Sequence, residues 1–457
     1  MITYQDLQKI ENASEEKRMS FVKKIINDHK SSKLYRDAVV AQDYANQRNT
    51  TINKYCKILY TMSGQAVPDR WSSTYRLASG FFGRFVTQEV QYLLGNGVTW
   101  DDPKAAEAAF GDKFDIRLQN AGRRALITGE AFVFYNLDHV DVFDLLNFAP
   151  LYDEEDGSLK AGVRFWQIDD SKPLRATLYE LDGYTEYIWR KSKGEVLNEK
   201  DKYITKTATS EVDGEEIIEK RNYPSFPIVP LWGNPEHVSE LDGRRDGIDA
   251  YDLIKSGFVD DLDSAQIYWT IQNAGGMTDE DLVRFIEHMK IVKAAVVDES
   301  GASAQSHTIE VPYSAREALL DRIETDLYKD FMAFNPETIA NGAVTATQIR
   351  AAYESLNVKC DQFEYCVHET LDALMALAGI ENEATFSRSM IVNTNEEIQV
   401  LMQAAPYLEE TYLTEKVMTL LGDADRVEDA IEKIDADELS RFGNINEADN
   451  DGEDEKK

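Results

Sequence analysis

Hydrophobic residues recur at steps of three and four along residues 5–60, with charged residues between them, and this spacing predicts a succession of amphipathic helices. The same pattern continues over residues 72–94, where the apolar positions include Phe81, Phe82, Phe85, Val86, Val90, Tyr92 and Leu93. The Gly95-Asn96-Gly97 turn ends this pattern. We therefore expect a buried or subunit-facing helix that ends beside Gly95.

The hydrophobic period changes from helical spacing to two between residues 128 and 223. Short runs rich in aromatic and β-branched residues alternate with turns at Asp156-Gly157, Asp182-Gly183, Lys193-Gly194 and Asp213-Gly214. This pattern predicts an antiparallel sheet built from hairpins. The sheet is expected to end at residues 223–230, where three prolines in a short stretch are incompatible with a helix interior or a central strand.

Two further amphipathic helices flank a small mixed segment. The first has apolar positions from Ile248 to Leu262 and an opposite face that carries Asp246, Asp249, Asp252, Asp260, Asp261 and Asp263. The second covers residues 314–334. Between them, a helix at 279–289 and strands at 291–297 and 307–313 are expected to form a compact head. We expect the two helices to lie antiparallel, as rods leading to and from this head.

The C-terminal part is predicted to be mainly helical. Asn335-Pro336 ends the second rod, and a loop follows that contains Asn341-Gly342-Ala343-Val344. Residues 345–378 lack both Gly and Pro, which permits one long helix that ends at Gly379. A strand at 386–392, short helices at 396–408, 413–421 and 424–434, and a disordered acidic tail at 444–457 complete the prediction.

Charge narrows the possible partners. Forty-nine basic and 83 acidic side chains give a net charge of −34, which argues against tight binding to phosphate, because such binding depends on Lys and Arg. An acidic wall along which DNA slides remains compatible with this charge, as does solubility alone. Residues 394–457 carry −13, whereas residues 17–57 carry +7 and could dock onto an acidic neighbour or form a solvated helix face.

The sequence contains no recognisable catalytic or metal-binding motif. Phosphate-loop, H-E-x-x-H, C-x-x-C and G-x-S-x-G patterns are all absent, so no cofactor is expected. Cys56, Cys360 and Cys366 show no disulfide framework. Cys360, Cys366 and His368 lie close in the sequence, but Cys360 and Cys366 fall on different helix faces and no fourth ligand is evident, which disfavours a metal site. No stretch approaches the ~20 apolar residues of a membrane span, and the N-terminus lacks a signal-peptide pattern.

Three segments of the sequence are similar to those of a known family. They are EVQYLLGNGVTW at 89–100, ALITGEAFVFY at 125–135, and SFPIVPLWGNPEHVSELDGRRDGIDAYDLIKSGFVDDLD at 225–263. Together with the order of elements from about residue 46 to 421, they make the chain resemble the portal proteins of tailed phages, especially the siphophage portal family. The loop at 341–344 departs from that family, which usually has a Ser-Gly pair there.

The resemblance implies an α+β portal fold with a mainly helical stem and crown, a β-rich wing and a small mixed α/β clip. Its parts would be a wing at 1–237 and 346–393, stem helices at 238–268 and 314–334, a clip at 269–313, a tunnel loop at 335–345 and a crown at 394–443. The implied functional residues fall into three groups. The DNA-facing tunnel loop would contain Asn341, Gly342, Ala343, Val344 and Thr345; the channel-lining stem candidates are Asp249, Asp252, Asp260 and Asp263; the clip docking candidates are Trp269, Asp279, Glu280, Arg284 and Lys290.

The function implied by the resemblance is a head-tail connector at one capsid vertex of the virion. It would be a ring, expected to be a dodecamer, that passes double-stranded DNA and contacts the terminase large subunit, a head-completion or adaptor protein, and the major capsid and scaffold proteins. No membrane partner is expected. Two alternatives stay open: a metal-dependent nuclease or head-maturation enzyme that uses the aspartate clusters, and a minor head protein without a channel.

Overall fold

A computed structural model describes residues 2–60, 65–68, 74–190, 193–209, 216–263, 267–272, 303–308, 313–337, 345–389 and 394–421, together with residues 278, 280, 284, 427, 431 and 433. The described part combines helices with several separate sheets, which confirms the α+β class. The chain divides into two compact units. The first contains residues 1–333 and 358–389, and the second contains residues 334–357 and 390–457.

Helices dominate the start of the first unit. They are α1 (Tyr4–Gln8), α2 (Glu15–Ser31), α3 (Lys33–Ala45), α4 (Thr50–Lys54), α5 (Phe81–Leu94), α6 (Pro103–Phe110) and α7 (Phe114–Thr128). The predicted helices within residues 5–60 are confirmed up to Lys54. A hairpin of β1 (Ile58–Tyr60) and β2 (Ala66–Pro68) replaces helix beyond that point, and β3 (Val98–Trp100) follows α5.

All the described strand pairs are antiparallel, as the period of two predicts. The strands are β4 (Glu130–Asn136), β5 (His139–Asp144), β6 (Phe148–Tyr152), β7 (Leu159–Trp166), β8 (Leu174–Glu180), β9 (Gly183–Arg190), β10 (Lys193–Asp201), β11 (Ile204–Thr209), β12 (Glu216–Arg221) and β13 (Ile228–Trp232). They form a five-stranded sheet in the order β10-β9-β8-β7-β6, a three-stranded sheet in the order β13-β4-β5, and a β11-β12 hairpin.

The proline-rich segment does not end the sheet as predicted. Residues 228–232 form β13 and pair with β4 even though Pro230 lies within the strand. Proline lacks the N–H donor that a central strand needs on both sides, but β13 is the edge of its sheet and needs partners on one side only. The prediction that the sheet ends before these residues was therefore wrong, whereas the expectation that they form no central strand is confirmed.

The cores of this unit lie between helix and sheet and between the two larger sheets. On one side of the five-stranded sheet, Val22, Ile25 and Ile26 of α2 pack with sheet residues such as Val163 and Leu178. A second cluster, rich in aromatic rings, joins the two sheets and contains Phe132, Phe134, Phe143, Phe148, Tyr179 and Ile228. Burial of this apolar area is the main stabilising contribution to the unit.

One carboxylate lies inside this otherwise apolar region. Glu130, at the start of β4, is 2% exposed, and its Oε2 accepts a 2.6 Å hydrogen bond from the Tyr152 hydroxyl. Its Oε1 has no hydrogen-bond partner in the described part of the chain. Burial raises the pKa of Glu130 to about 7, so folding favours the protonated acid and stability should fall as pH rises from about 4.5 to about 7.

Glu130→Gln is expected to flatten this pH dependence. The amide removes the cost of burying a charge, but it places a donor where Oε1 had no partner, so the net gain at pH 8 should be about 1–2 kcal/mol. Urea unfolding at pH 5 and pH 8 measures the change. Glu155→Gln, at an exposed hairpin tip, is the control. If the substitution changed the free energy of unfolding equally at both pH values, the ionisation of buried Glu130 would not be the cause of the pH dependence.

The rest of the first unit contains the two predicted rods. They are α8 (Arg245–Asp263) and α9 (Tyr313–Asp330), and between them β14 (Ile267–Gln272) pairs with β15 (Ser303–Thr308). The first rod was predicted to continue to residue 268, but helix ends at Asp263 and a strand begins at Ile267. The predicted helix at 279–289, apart from residues 280 and 284, and the strand at 291–297 lie outside the described residues.

A helix of 33 residues, α10 (Ala346–Ala378), contributes to both units and matches the prediction closely. Gly379, with φ of +69°, follows its last turn, as expected for a residue that must adopt the left-handed conformation. Of the predicted strand at 386–392, Phe386 lies in β16 (Ala384–Phe386), which pairs with β3. Residues 387–389 are not in a strand, and residues 390–392 lie outside the described residues. The second unit also contains α11 (Thr394–Ala404), a 3₁₀ turn (Ala405–Tyr407) and α12 (Glu410–Leu421).

Candidate functional site: the paired helices and their acidic face

The two rods pack against each other in antiparallel orientation. Near the start of α8, the Tyr251 hydroxyl donates a 3.4 Å hydrogen bond to Glu324 Oε2, late in α9. Near the end of α8, Asp261 forms an ion pair with Arg316, early in α9. Contacts that run in opposite directions along the two helices define an antiparallel pair. The predicted antiparallel pairing is therefore confirmed.

The acidic face of α8 binds an extended segment of the same chain. We call residues 74–80 the strap. Three of its backbone N–H groups donate to α8 side chains: Tyr75 to Asp260 Oδ1 at 2.7 Å, Leu77 to Ser256 Oγ at 3.0 Å, and Ser79 to Asp252 Oδ1 at 2.9 Å. The donating N–H groups are two residues apart in the strap, a span of about 6.6 Å in extended chain. Their acceptors are four residues apart in α8, a rise of about 6 Å, so donors and acceptors stay in register.

The strap corrects the prediction of continuous helix from residue 72. In a helix, each N–H would donate to the carbonyl four residues earlier. Here, alternate N–H groups donate to side chains of α8 instead, and helix begins only at Phe81. Hydrophobic spacing along residues 72–80 could not reveal this choice, because the acceptors are more than 170 residues away in the sequence.

Residues 44–57, which precede the strap in the sequence, supply further donors to the acidic face of α8. The Asn49 amide donates to Asp249 Oδ1 at 2.9 Å and to Asp252 Oδ2 at 2.8 Å, while its own Oδ1 caps α4. The Tyr44 hydroxyl also donates to Asp249. Lys57 forms a 2.9 Å ion pair with Asp260 Oδ2. The carboxylates of Asp249, Asp252 and Asp260 are therefore occupied within one chain.

This arrangement overturns part of the channel-lining prediction. Asp252 and Asp260 are 0% and 1% exposed, and Asp249 is largely covered, so these side chains do not form the solvated wall that the sequence pattern suggested. A run of aspartates on one helix face can be either solvated or satisfied by donors, and here the strap supplies the donors. The side chain of Asp263 lies outside the described residues.

A buried cluster of charges lies where α8 begins. Lys359 Nζ of α10 contacts Glu89 Oε2 of α5 at 2.6 Å and Glu240 Oε2 at 2.9 Å. Arg244 forms a 2.9 Å ion pair with the same Glu240 oxygen, and its Nε donates to the carbonyl of Asp330 at the end of α9. Two acids and two bases thus join α5, α10 and one end of the helix pair, where α8 begins and α9 ends.

The cluster contains an acid whose pKa is raised by burial. Burial raises the pKa of Glu89 to about 7, opposed by the attraction of Lys359. The same lysine and Arg244 hold the pKa of Glu240 below its usual value. These residues were not predicted from the sequence, because a single Lys within a long helix and two distant Glu residues form no local pattern.

The other predicted site residues are only partly described. Asn341, Gly342, Ala343 and Val344 lie outside the described residues, whereas Thr345 precedes α10 and accepts a hydrogen bond from the Gln348 N–H. Among the clip candidates, Trp269 lies in β14 opposite Ser306, and Glu280 and Arg284 are exposed. Asp279 and Lys290 lie outside the described residues.

The described residues offer no metal centre. Across the described ranges, no group of three or more His, Cys, Asp or Glu side chains is arranged to hold an ion. All three cysteines are free: Cys56 is exposed, and Cys360 and Cys366 are buried. No helix in these ranges is both long and apolar enough to cross a membrane.

Comparison with known proteins assigns the chain to a family. Residues 23–439 match the family model described as phage portal protein, SPP1 Gp6-like. The chain belongs to this portal family. Its relatives include the portal protein of Bacillus phage SPP1, which is 26% identical over 440 residues that cover 86% of this chain and 82% of the relative. The portal protein of Clostridium phage phiCD119 is 22% identical over 358 residues, covering 71% and 77% of the two chains.

Two solved structures are also similar in part. The neck of a native gene transfer agent (GTA) particle, computed with C12 symmetry, has a TM-score of 0.36 at 12% identity and covers 74% of this chain and 89% of its own. The neck of an empty particle, computed with C6 symmetry, has a TM-score of 0.40 at 13% identity, with coverage of 75% and 90%.

Family membership decides between the functions left open by the sequence. Portal family members are structural, non-enzymatic components of the phage capsid, so the nuclease and maturation-enzyme alternative is wrong. The chain is a subunit of a homo-oligomeric ring in a phage virion. The alternative of a minor head protein without a channel is set aside, because the chain belongs to the portal family.

Proposed function

We propose that the ring is a dodecamer that encloses a channel at one capsid vertex, and that double-stranded DNA passes through this channel during packaging and ejection. The observation that carries the proposal is the antiparallel pair of α8 and α9 in a chain of the portal family. A closed ring needs rod-like parts that repeat side by side around an axis, and paired helices meet that need. We assign the pair to the stem.

The loop between α9 and α10 is the proposed contact with DNA. It would contain Asn341, Gly342, Ala343 and Val344, with Thr345 at its end. Twelve copies would narrow the channel and touch the DNA backbone without reading bases, since backbone contacts carry no sequence information directly. The net charge of −34 supports transient contact, because strong binding of DNA needs neutralised phosphates.

The segment between the two stem helices is the proposed clip. Trp269, Glu280 and Arg284, together with Asp279 and Lys290, would contact the terminase large subunit during packaging and a head-completion or adaptor protein afterwards. Exposure of Glu280 and Arg284 supports this role. The remainder of the ring would contact the major capsid and scaffold proteins during assembly.

Val344→Arg is expected to leave ring assembly intact and to lower DNA packaging at least tenfold, because a bulky cation from every subunit would hold the phosphate backbone. Negative-stain microscopy measures the rings, and nuclease-protected DNA in an in vitro packaging reaction measures the function. Ile168→Arg is the matched control, since Ile168 is 87% exposed in a turn between sheet strands. Loss of rings in the Val344 variant would refute the loop assignment, and full packaging would refute the DNA contact.

A further inference from the structure

A trough without any carboxylate lies on the outer face of α5. It has a volume of about 740 Å³ and is lined by α5, the end of α3 and Arg123 of α7. Its polar groups include Gln47, Arg84, Thr87, Gln91 and Arg123. None of its lining residues is acidic, in a chain with 83 acidic residues among 457. We call it the α5 trough.

Both arginines of the α5 trough keep most of their donors for a ligand. The Arg84 guanidinium lies 4.7 Å from the centroid of the Phe81 ring, and Arg123 Nη1 donates to Thr87 Oγ1 at 2.5 Å. Within the described ranges, neither of the two forms an ion pair. By contrast, Arg124, the next residue of α7, pairs with Asp144 at 3.0 Å. Among the described residues, the two trough arginines therefore lack the acidic partner that Arg124 has.

The composition of the α5 trough favours a protein partner over a nucleic acid. Interfaces between proteins are enriched in Arg and depleted in Lys, Glu and Asp, and the trough has two Arg and none of the other three. A surface that binds nucleic acid gathers many Lys and Arg residues, since affinity grows with each phosphate neutralised. Two guanidinium groups would neutralise few phosphates, but each can hold one carboxylate with two parallel hydrogen bonds.

We propose that the α5 trough binds carboxylate side chains of the neighbouring copy in the ring. Subunits of a ring contact each other through two different faces, so a cationic face on one copy needs an acidic face on the next. The acid-rich surface of this chain supplies that complement. The proposal depends on the ring and is independent of the passage of DNA, so failure of DNA packaging would leave it unaffected.

Protection of a cysteine in the α5 trough tests this contact. Thr87→Cys in a Cys56→Ser background leaves Cys360 and Cys366, which are buried, as the other thiols. Maleimide labelling of Thr87→Cys should be at least tenfold slower in isolated rings than in unassembled subunits. Ile168→Cys, 87% exposed in the unassembled chain, shows whether the reagent reaches the rings. Equal labelling rates of the Thr87 variant in both forms would overturn the proposal.

Charge reversal separates the two possible ligands. Arg84→Glu/Arg123→Glu should keep the circular dichroism of the unassembled chain but raise the subunit concentration for half-assembly at least tenfold. Arg190→Glu, at a side chain that is 63% exposed, should leave that concentration unchanged. If the double variant fails to fold, Arg84→Gln/Arg123→Gln should show the same direction of change. Normal assembly with loss of duplex DNA binding in a filter assay would overturn the proposal in favour of nucleic acid.

Discussion

Lys359→Met is expected to lower the free energy of unfolding by about 3–5 kcal/mol at pH 8, the usual cost of removing one partner from a buried ion pair. Lys359 Nζ contacts carboxylate oxygens of Glu89 and Glu240 at 2.6 and 2.9 Å. Arg244 still contacts Glu240 after the substitution, so Glu89, 1% exposed, becomes the uncompensated charge. Urea unfolding of the unassembled chain measures the loss.

The pH dependence of this loss identifies its cause. Without Lys359, Glu89 can avoid a buried charge only by binding a proton, and its pKa is already raised to about 7 by burial. The loss should therefore be smaller at pH 5 than at pH 8. Glu89→Gln added to Lys359→Met should recover part of the stability at pH 8.

The control for this prediction is an exposed lysine. Lys329, whose side chain is 68% exposed, forms a 3.7 Å ion pair with Asp326, and Lys329→Met should change stability by less than about 0.5 kcal/mol. If Lys359→Met were no more destabilising than Lys329→Met, the charge cluster would not contribute to holding α5, α10 and the start of α8 together.

Local patterns predicted the regular elements of this fold well. The long run without Gly or Pro predicted α10, and Gly379 predicted its end. Both signals are local, because helix propensity and the glycine that follows a helix depend on residues close together in the sequence. The hydrophobic period of two, with short turns between the runs, predicted antiparallel hairpins, and this pattern is also local. Residues 103–128 were given no predicted element, although they form α6 and α7 and the buried positions Phe114, Leu118, Ala121 and Ala125 have helical spacing.

The candidate site could be predicted only in outline. Family-like segments led to the portal assignment, and amphipathic spacing led to the antiparallel pair. The prediction that the aspartate face of α8 lines a channel was wrong for the buried side chains. Aspartates at helical spacing are equally compatible with contact to water and with hydrogen bonds from another segment. Only the fold shows that Asn49 and the strap reach Asp252, more than 170 residues further along the chain.

Asp252→Ala is the second change with a large expected effect, a loss of about 2–4 kcal/mol in the free energy of unfolding. The carboxylate accepts hydrogen bonds from the Asn49 amide at 2.8 Å and the Ser79 N–H at 2.9 Å. Removing it leaves both donors without this partner, and each buried donor without a partner costs about 1–3 kcal/mol. Burial raises the pKa of Asp252, so the relief of burying its charge offsets part of this loss.

The strap makes this prediction specific, because loss of Asp252 should act on particular amides. Hydrogen exchange of the Ser79 and Leu77 amides should accelerate more than that of amides within α8, since the extended segment has side-chain acceptors in place of a helix ladder. Asp246→Ala, at an exposed position of the same helix, should leave both stability and exchange nearly unchanged. If the two variants behaved alike, the strap would not depend on Asp252. If Asp252→Ala destabilised all amides equally, the strap would unfold only together with the whole unit.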